Sequence, residues 1–363
     1  WPKADYWFAT GASGTTQITD TVNLSTSPNF VGGELVARKN KWVEDTQLIT
    51  GQTATTVTTE AGSSYPYQAE YGYFFQNHIN ALTAQNDWMF DASTNKITMY
   101  STVDPVSLNV SISKYQYALN LDEADYWEFN DIVFEGAYDT GIYVEFSNNC
   151  KFTGCESKYH GIDGIKTYVS NDLTLIDCDF DQINNKAINL RDNSQRFSIS
   201  DSRWQNIGLV RGLTQNGDGA GIGLFINNTE FDATVDNNYF YNIGYSGIYY
   251  RGNNCQITNN YGHNICMRKA DGAVYYTFGN ATTAYTNILV QGNIGFDCIG
   301  NIEGTPYTEA DGAVYYIDDN SKNITLDKNY AAGSSYGIYL HNIQDLTITN
   351  NRAIDNRIQF RFG

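Results

Sequence analysis

From about residue 120, small-then-branched pairs recur along the chain: Gly141-Ile142, Gly164-Ile165, Ala187-Ile188, Gly221-Ile222, Gly247-Ile248, Ala273-Val274, Ala313-Val314 and Gly337-Ile338. The branched residues are spaced by 23, 23, 34, 26, 26, 40 and 24 positions. The base period is about 23 residues, and the longer steps are rungs that carry insertions. A second strand in each rung follows an Asn-rich turn: Cys150-Lys-Phe152, Leu173-Thr-Leu175, Phe197-Ser-Ile199, Cys255-Gln-Ile257, Ile324-Thr-Leu326 and Leu346-Thr-Ile348. Paired asparagines such as Asn148-Asn149, Asn253-Asn254 and Asn350-Asn351 mark the turns, because Asn tolerates left-handed backbone angles and bonds to the turn backbone.

No single rung of this kind buries its own apolar face, but stacked rungs bury a continuous aliphatic ladder. The pattern predicts an all-β parallel β-helix over residues 111–363. The Leu-x-x-Leu-x-Leu signature of a leucine-rich horseshoe is absent, and a propeller blade needs about 40 residues. Residues 1–110 show no rungs. Glu34–Arg38 and Lys96–Tyr100 alternate as antiparallel strands do, with a turn at Asp91–Asn95. This region reads as an antiparallel β-rich module packed on or inserted before the helix.

Strand alternation then assigns an outward face. With each Ile or Val inward, the next residue points out: Tyr143, Lys166, Asn189, Gly223, Tyr249, Tyr275, Tyr315 and Tyr339. Two further on lie Glu145, Tyr168, Arg191, Phe225, Arg251, Thr277, Ile317 and His341. Tyrosines mixed with charges suit sugars, whose C–H faces stack on aromatic rings while their hydroxyls take hydrogen bonds. The same stripe also serves as a purely structural ladder.

Ala-Asp-Gly-Ala-Val-Tyr-Tyr occurs twice, at 270–276 and 310–316, so Asp271 and Asp311 hold equivalent places 40 residues apart. Insertions at 206–219, 265–270 and 299–310 precede outward strands and should wall one edge of a cleft. Each ends in Asp-Gly, at Asp218, Asp271 and Asp311, and Asp163-Gly164 stands in an uninserted rung. Carboxylates on adjacent rungs, about 4.8 Å apart, approach the separation of a retaining glycosidase pair. Asp318 and Asp319 follow the second copy and are placed to bind sugar or a cation, and His341 lies one rung beyond. Glu303 and Glu309 are reserve carboxylates in the last insertion.

The formal net charge of −18 argues against nucleic acid as a partner. No run of 18 apolar residues spans a membrane. The six cysteines form no metal-ligand spacing, and Cys155 and Cys178, one rung apart, read as stacked core thiols. The chain opens at Trp1 without Met or a signal-like segment. The expectation is a piece of a longer, processed, exported protein, extracellular or periplasmic.

Two stretches carry a family resemblance. Asp311–Asn320 followed by Gly337–His341 is similar to a Gly-rich strand and Asp-Asp turn, and Tyr73–Leu82, Trp88–Asp91 and Ile97–Tyr100 look like the segment before the helix in such proteins. Val31–Arg38 and Trp42-Val43 fit the same module. The sequence resembles exported bacterial β-helix glycoside hydrolases of the α-L-fucosidase/xylanase type (family 141) and, less closely, the β-xylosidase β-helix type. That resemblance implies a right-handed, pectate-lyase-like solenoid, a catalytic aspartate pair at Asp271 and Asp311, and further sequence before Trp1. Alanines replacing glycines in the strand motif and a short C-terminal portion depart from the pattern.

The leading expectation is therefore a retaining glycoside hydrolase acting on a polysaccharide or oligosaccharide. Asp271 and Asp311 are its catalytic pair, and Asp218, Tyr249, Arg251, Tyr275, Tyr315, Asp318, His341, Lys166 and Arg191 bind substrate. No cofactor is demanded, with Ca²⁺ on the aspartate column as an option. A lyase or epimerase of uronic-acid glycans would instead use Lys166, Arg191 or Arg251 as its base or carboxylate clamp. A non-catalytic glycan-binding β-helix is the third reading.

Overall fold

The computed structural model describes residues 6–62, 64–227, 232–279 and 285–363. Trp1, on which the expectation of a trimmed start rests, lies outside them. The chain divides into two compact units.

The first unit comprises residues 1–112 together with 210–218 and 302–308. Its centre is a seven-stranded antiparallel sheet in the order Trp7–Phe8, Gly72–Gln76, Glu34–Arg38, Glu44–Gln52, Thr56–Thr59, Gln17–Thr19, Gly11–Ser13. A separate hairpin joins Trp88–Asp91 to Lys96–Met99. Leu35, Ala37, Ile49, Val57 and Tyr73 bury one face of the sheet. Two inserted segments that the sequence offered as plain cleft-wall loops belong to this unit. Gln76 Nε2 donates to the Gly212 carbonyl at 3.0 Å, the Thr46 N–H to Asn216 Oδ1 at 2.8 Å, and the Gly72 N–H to the Gly304 carbonyl at 2.9 Å.

The second unit is a parallel β-helix of three sheets with ten, nine and nine strands. The first sheet runs from Tyr117–Asp122 through Thr140–Glu145, Asp163–Tyr168, Lys186–Arg191, Ile222–Asn227, Ile248–Arg251, Ala273–Phe278, Ala313–Asp318 and Tyr336–Leu340 to Ile358–Phe362. The predicted second strands form the second sheet. The third sheet was not foreseen. Its inward column runs Phe134, Ser157, Phe180, Trp204, Phe240, Gly262, Gly295, Ala331, Ala353, which no uniform aliphatic signal announces.

Two stacks fasten the rungs. Ile142, Ile165, Ile188, Leu224 and Ile248 pair in register along the first sheet and are buried, each contributing about 1.5–3 kcal/mol. At one corner Asn238, Asn260, Asn293, Asn329 and Asn351 form an amide ladder, each Nδ2 donating to the next Oδ1 at 2.9, 3.0, 3.2 and 2.9 Å.

The register corrects the outward face in two places. Ile222 pairs with Lys186, so Leu224 takes the inward column and Phe225, not Gly223, points out. Tyr275 pairs with Ile248 and with Tyr315. The two tyrosines predicted as sugar platforms are therefore core residues, exposed by 0% and 1%. Tyr275 Oη donates to the Asn260 carbonyl at 2.8 Å and Tyr315 Oη to the Asn293 carbonyl at 2.7 Å. Val274 and Val314 fill the small-residue place that glycine occupies in other rungs. The bare third-sheet positions make room for them: a Cβ on Gly262 would lie 2.7 Å from Val274 Cγ1, and one on Gly295 2.4 Å from Val314 Cγ1. The outward residues are consequently Tyr276 and Tyr316, then Phe278 and Asp318, and the predicted Thr277 and Ile317 are buried.

Candidate active site

The outward face of the first sheet, in its last rungs, gathers an aromatic column. Phe225, Tyr249, Tyr276, Tyr316 and Tyr339 follow one another with ring centroids 4.9, 5.1, 5.3 and 4.4 Å apart. The parallel register makes this column: one position in each strand repeats at every rung.

Two residues on, a second column places Phe278 beside Asp318. The guanidinium of Arg251 covers the Phe278 ring at 4.6 Å. Asp318 is held from two sides. Its Oδ2 accepts from Tyr276 Oη at 2.8 Å, and its Oδ1 meets His341 Nδ1 at 2.8 Å, with Asp319 Oδ1 3.5 Å from the same nitrogen. The Asp-Asp turn and His341 thus come together as the sequence placed them.

Asp271 and Asp311 also meet. The Asp271 N–H donates to Asp311 Oδ1 at 3.1 Å, and Tyr245 Oη donates to the Asp271 carbonyl at 2.9 Å. Although they sit in identical heptapeptides, Asp271 adopts φ 60°, a left-handed angle that Asp311 does not share. Their insertions leave the strand at different lengths, and the turn absorbs the difference.

The two halves of the cluster converge on one phenol. Burial, and then the carboxylates of Asp271 and Asp318, push the Tyr316 hydroxyl far above its ordinary range. Burial, followed by Tyr245 and Asp318, does the same to Tyr276. Both stay protonated and serve as donors. Beneath the pair, burial raises the Cys266 thiol, helped by its hydrogen bond with Cys298 and by the charges of Asp311 and Asp271. All six cysteines are buried free thiols, which is where the stacked-thiol reading put Cys155 and Cys178.

Other predicted residues lie elsewhere. Asp218 belongs to the first unit, where its charge helps hold the Tyr65 phenol up, behind burial. Counting back from the Leu224–Ile248–Tyr275 register, Ala220 is the counterpart of Asp271 in that rung. Asp163 is buried, taking hydrogen bonds from Asn185 and Asn189 at 2.8 and 2.6 Å. Lys166 lies over the Tyr143 ring, five rung steps from Tyr316 along the column. Arg191 pairs with Asp192, four rung steps from Asp318. Glu309 pairs with Arg357 at 2.8 Å, and Glu303 pairs with Arg211 in the first unit. Sequence reasoning missed Tyr245, Tyr276 and Tyr316. The doubled Tyr-Tyr of each heptapeptide was the available signal, with its second ring facing out.

Asp318, Asp319 and His341 offer three ligand atoms within 4.8 Å of one another. A nitrogen among the donors suits a first-row cation better than Ca²⁺, which prefers oxygen throughout.

Comparison with known proteins agrees on the fold. A family described as Right handed beta helix region matches residues 95–261. A solved structure named "Glycoside hydrolase" superposes with a TM-score of 0.76 at 13% identity, covering 96% of this chain and 74% of that one. An alginate lyase from Paenibacillus sp. aligns with a TM-score of 0.45 at 13% identity over 63% of this chain and 78% of its own. The tailspike protein gp49 from Pseudomonas phage LKA1 aligns with a TM-score of 0.37 at 11% identity over 99% and 60%. A search of curated proteins found no match. The fold is a right-handed parallel β-helix.

Proposed function

We propose that this protein is a glycoside hydrolase acting on a polysaccharide, with Asp271 and Asp311 as its carboxyl pair. The observation that carries the reading is the direct contact of the two aspartates. One carboxylate rests on the other's backbone, beside a stacked tyrosine face. Asp311, oriented by the Asp271 N–H, is the nucleophile. Its oxygen attacks the anomeric carbon while the bond to the leaving oxygen breaks and Asp271 gives that oxygen its proton. Water then attacks the anomeric carbon, Asp271 takes the water's proton, and Asp311 is released. Tyr316 remains protonated and donates to the sugar. Asp318, fixed by Tyr276 and His341, accepts from sugar hydroxyls. The tyrosines of the column are 4–9% exposed and pack on one another, so they wall the site rather than offer free ring faces.

The fold neighbour named as a glycoside hydrolase is in keeping with this reading. The lyase alternative needs a base beside the bound sugar. Lys166 and Arg191 stand five and four rung steps from the cluster, whereas Arg251 stands two steps from Asp318, and the absorbance of the product separates that reading from hydrolysis. No metal takes part in the proposed steps.

The test is a panel of polysaccharides and aryl glycosides followed for reducing ends and for ultraviolet absorbance, with and without chelator. The proposal expects new reducing ends, no absorbance and no effect of chelation. An unsaturated, absorbing product would assign a lyase, and binding without any product would assign a carbohydrate-binding module.

A further inference from the structure

At least five of the ten arginines of this acidic chain sit against a carboxylate: Arg196 on Asp172, Arg203 on Asp179, Arg211 on Glu303, Arg357 on Glu309 and Arg191 on Asp192. Arg251 and Arg361, both on the outward face of the first sheet, have no carboxylate partner among the described residues. Each lies on aromatic rings instead. Arg251 covers Phe278 at 4.6 Å and Tyr285 at 5.6 Å. Arg361 covers Tyr336 and Tyr339, both at 4.7 Å. Arg251 also keeps a buried Nε with no hydrogen-bond partner, and an orphaned buried donor is costly. Its Nη1 donates to the Tyr249 hydroxyl at 3.4 Å, Tyr285 is a second hydroxyl partner of the same guanidinium, and Arg361 Nη1 donates to Tyr336 Oη.

Their places in the register are symmetric about the candidate site. Arg251 lies over Phe278, which pairs with Asp318, so it stands two rungs before that acid. Tyr316 pairs with Tyr339, which pairs with Arg361, so Arg361 stands two rungs after. Each guanidinium is therefore about 10 Å from the central cluster along the stack, at about 4.8 Å per rung. Between them lie Asp271, Asp311, Asp318 and Asp319, whose charges repel an anion at the centre. A planar guanidinium fork that is held by tyrosine hydroxyls and has no carboxylate partner among the described residues still matches a carboxylate bidentately.

From this arrangement we infer that the substrate is an acidic glycan, with uronic-acid residues bound at Arg251 and Arg361 on either side of the bond that is cleaved. The inference rests on the hydrolase reading for where cleavage occurs, but the binding it describes is measured without turnover. The sugar at the centre is neutral, and its acidic neighbours are clamped on the flanking aromatic rings.

The experiment uses the full chain carrying both Asp271→Asn and Asp311→Asn, which bind but do not cleave. Hyaluronate, xanthan and glucuronoxylan, in which uronic-acid residues neighbour neutral sugars, are each titrated beside their carboxyl-reduced counterparts. At least one acid form should bind about tenfold tighter than its reduced form, as expected of charge-assisted hydrogen bonds. Adding Arg361→Gln or Arg251→Gln should remove most of that preference, weakening binding of the acid form severalfold more than binding of the reduced polymer. Arg361→Lys, which keeps the charge but loses the fork, should fall between. Equal affinity for acid and reduced forms of all three polymers overturns the inference, as does a preference that survives both glutamine substitutions. The failures are separable. Acid-dependent binding through both arginines, with no reducing ends from the unsubstituted protein, would keep this inference and remove the hydrolase. Cleavage of neutral glycans alone would do the reverse.

Discussion

At the scale of single residues, the doubled Tyr-Tyr of the repeated heptapeptide sends one ring into the core and the other to the opposite face of the strand. Tyr275 and Tyr315 point inward and bond to backbone carbonyls, whereas Tyr276 and Tyr316 face the aspartates. Tyr315→Phe should cost about 1–2 kcal/mol of stability for the lost hydroxyl bonds and leave turnover unchanged, and Tyr316→Phe should do the opposite. Urea unfolding and steady-state kinetics on both variants check the assignment. The sequence showed that tyrosines line this strand but not which of each pair faces out, because Val274 and Val314 look like the branched residues of other rungs. The missing side chains at Gly262 and Gly295, on another sheet, decide the slip.

A second residue predicts the acid limit of stability. His160 is 1% exposed, its Nδ1 accepting from the Ala137 N–H at 3.2 Å. Burial lowers its pKa to about 4, from the 6.5 of an ordinary histidine. The folded state therefore holds a neutral imidazole that the unfolded chain protonates readily. The stabilisation is complete above pH 6.5 and is lost as pH falls from there toward about 4. It amounts to about 3 kcal/mol at most. His160→Gln should be less stable at neutral pH, and its urea midpoint should fall less than that of the unsubstituted protein between pH 7 and pH 4. Parallel curves would show that His160 carries none of the pH dependence.

At the scale of elements, the strands of the first two sheets were legible because the inward positions repeat Ile, Val, Leu or Phe at the rung period. The third sheet was hidden because its inward residues run from Trp204 down to Gly262. The Asn pairs marked the turns correctly, since Asn149, Asn237, Asn254, Asn259 and Asn350 all adopt positive φ. What the pattern did not reveal is that the second member of several pairs turns inward as a ladder. Asn293 is its central rung. It donates to the Ile257 carbonyl at 2.7 Å and to Asn329 Oδ1 at 3.2 Å, and accepts from the Asn260 N–H and Nδ2 at 2.9 and 3.0 Å. Asn293→Ala leaves these buried groups unsatisfied and should destabilise by about 2–4 kcal/mol. Asn350→Ala, on the exposed side of a turn, should cost less than about 1 kcal/mol. Similar losses in the two variants, read from denaturant midpoints, would contradict a cooperative internal ladder.

At the scale of the whole molecule, the repeat period was enough to give the fold, and the insertions marked the rungs on which the proposed chemistry is placed. The destination of the inserted chain was not legible. Residues 210–218 and 302–308 read as loops along the helix edge, yet their hydrogen bonds, through Gly212, Asn216 and Gly304, are made with strands near residues 46, 72 and 76. Pairings this distant in sequence leave no local signature. The same limit explains Asp218, an Asp-Gly acid like Asp271 and Asp311 in sequence but a member of the other unit in structure. The shared heptapeptide behaves differently: its two strands stack in register on neighbouring rungs, which brings Asp271 and Asp311 together.

The most direct test of the account is the rate of reducing-end release by Asp271→Asn and Asp311→Asn on the best polymer of the panel. Far-ultraviolet circular dichroism and the denaturant midpoint would confirm that both variants are folded. The account predicts a fall of about 10²–10⁴-fold in each, with the fold retained. Turnover within a few-fold of the unsubstituted protein in either folded variant would contradict the Asp271–Asp311 assignment.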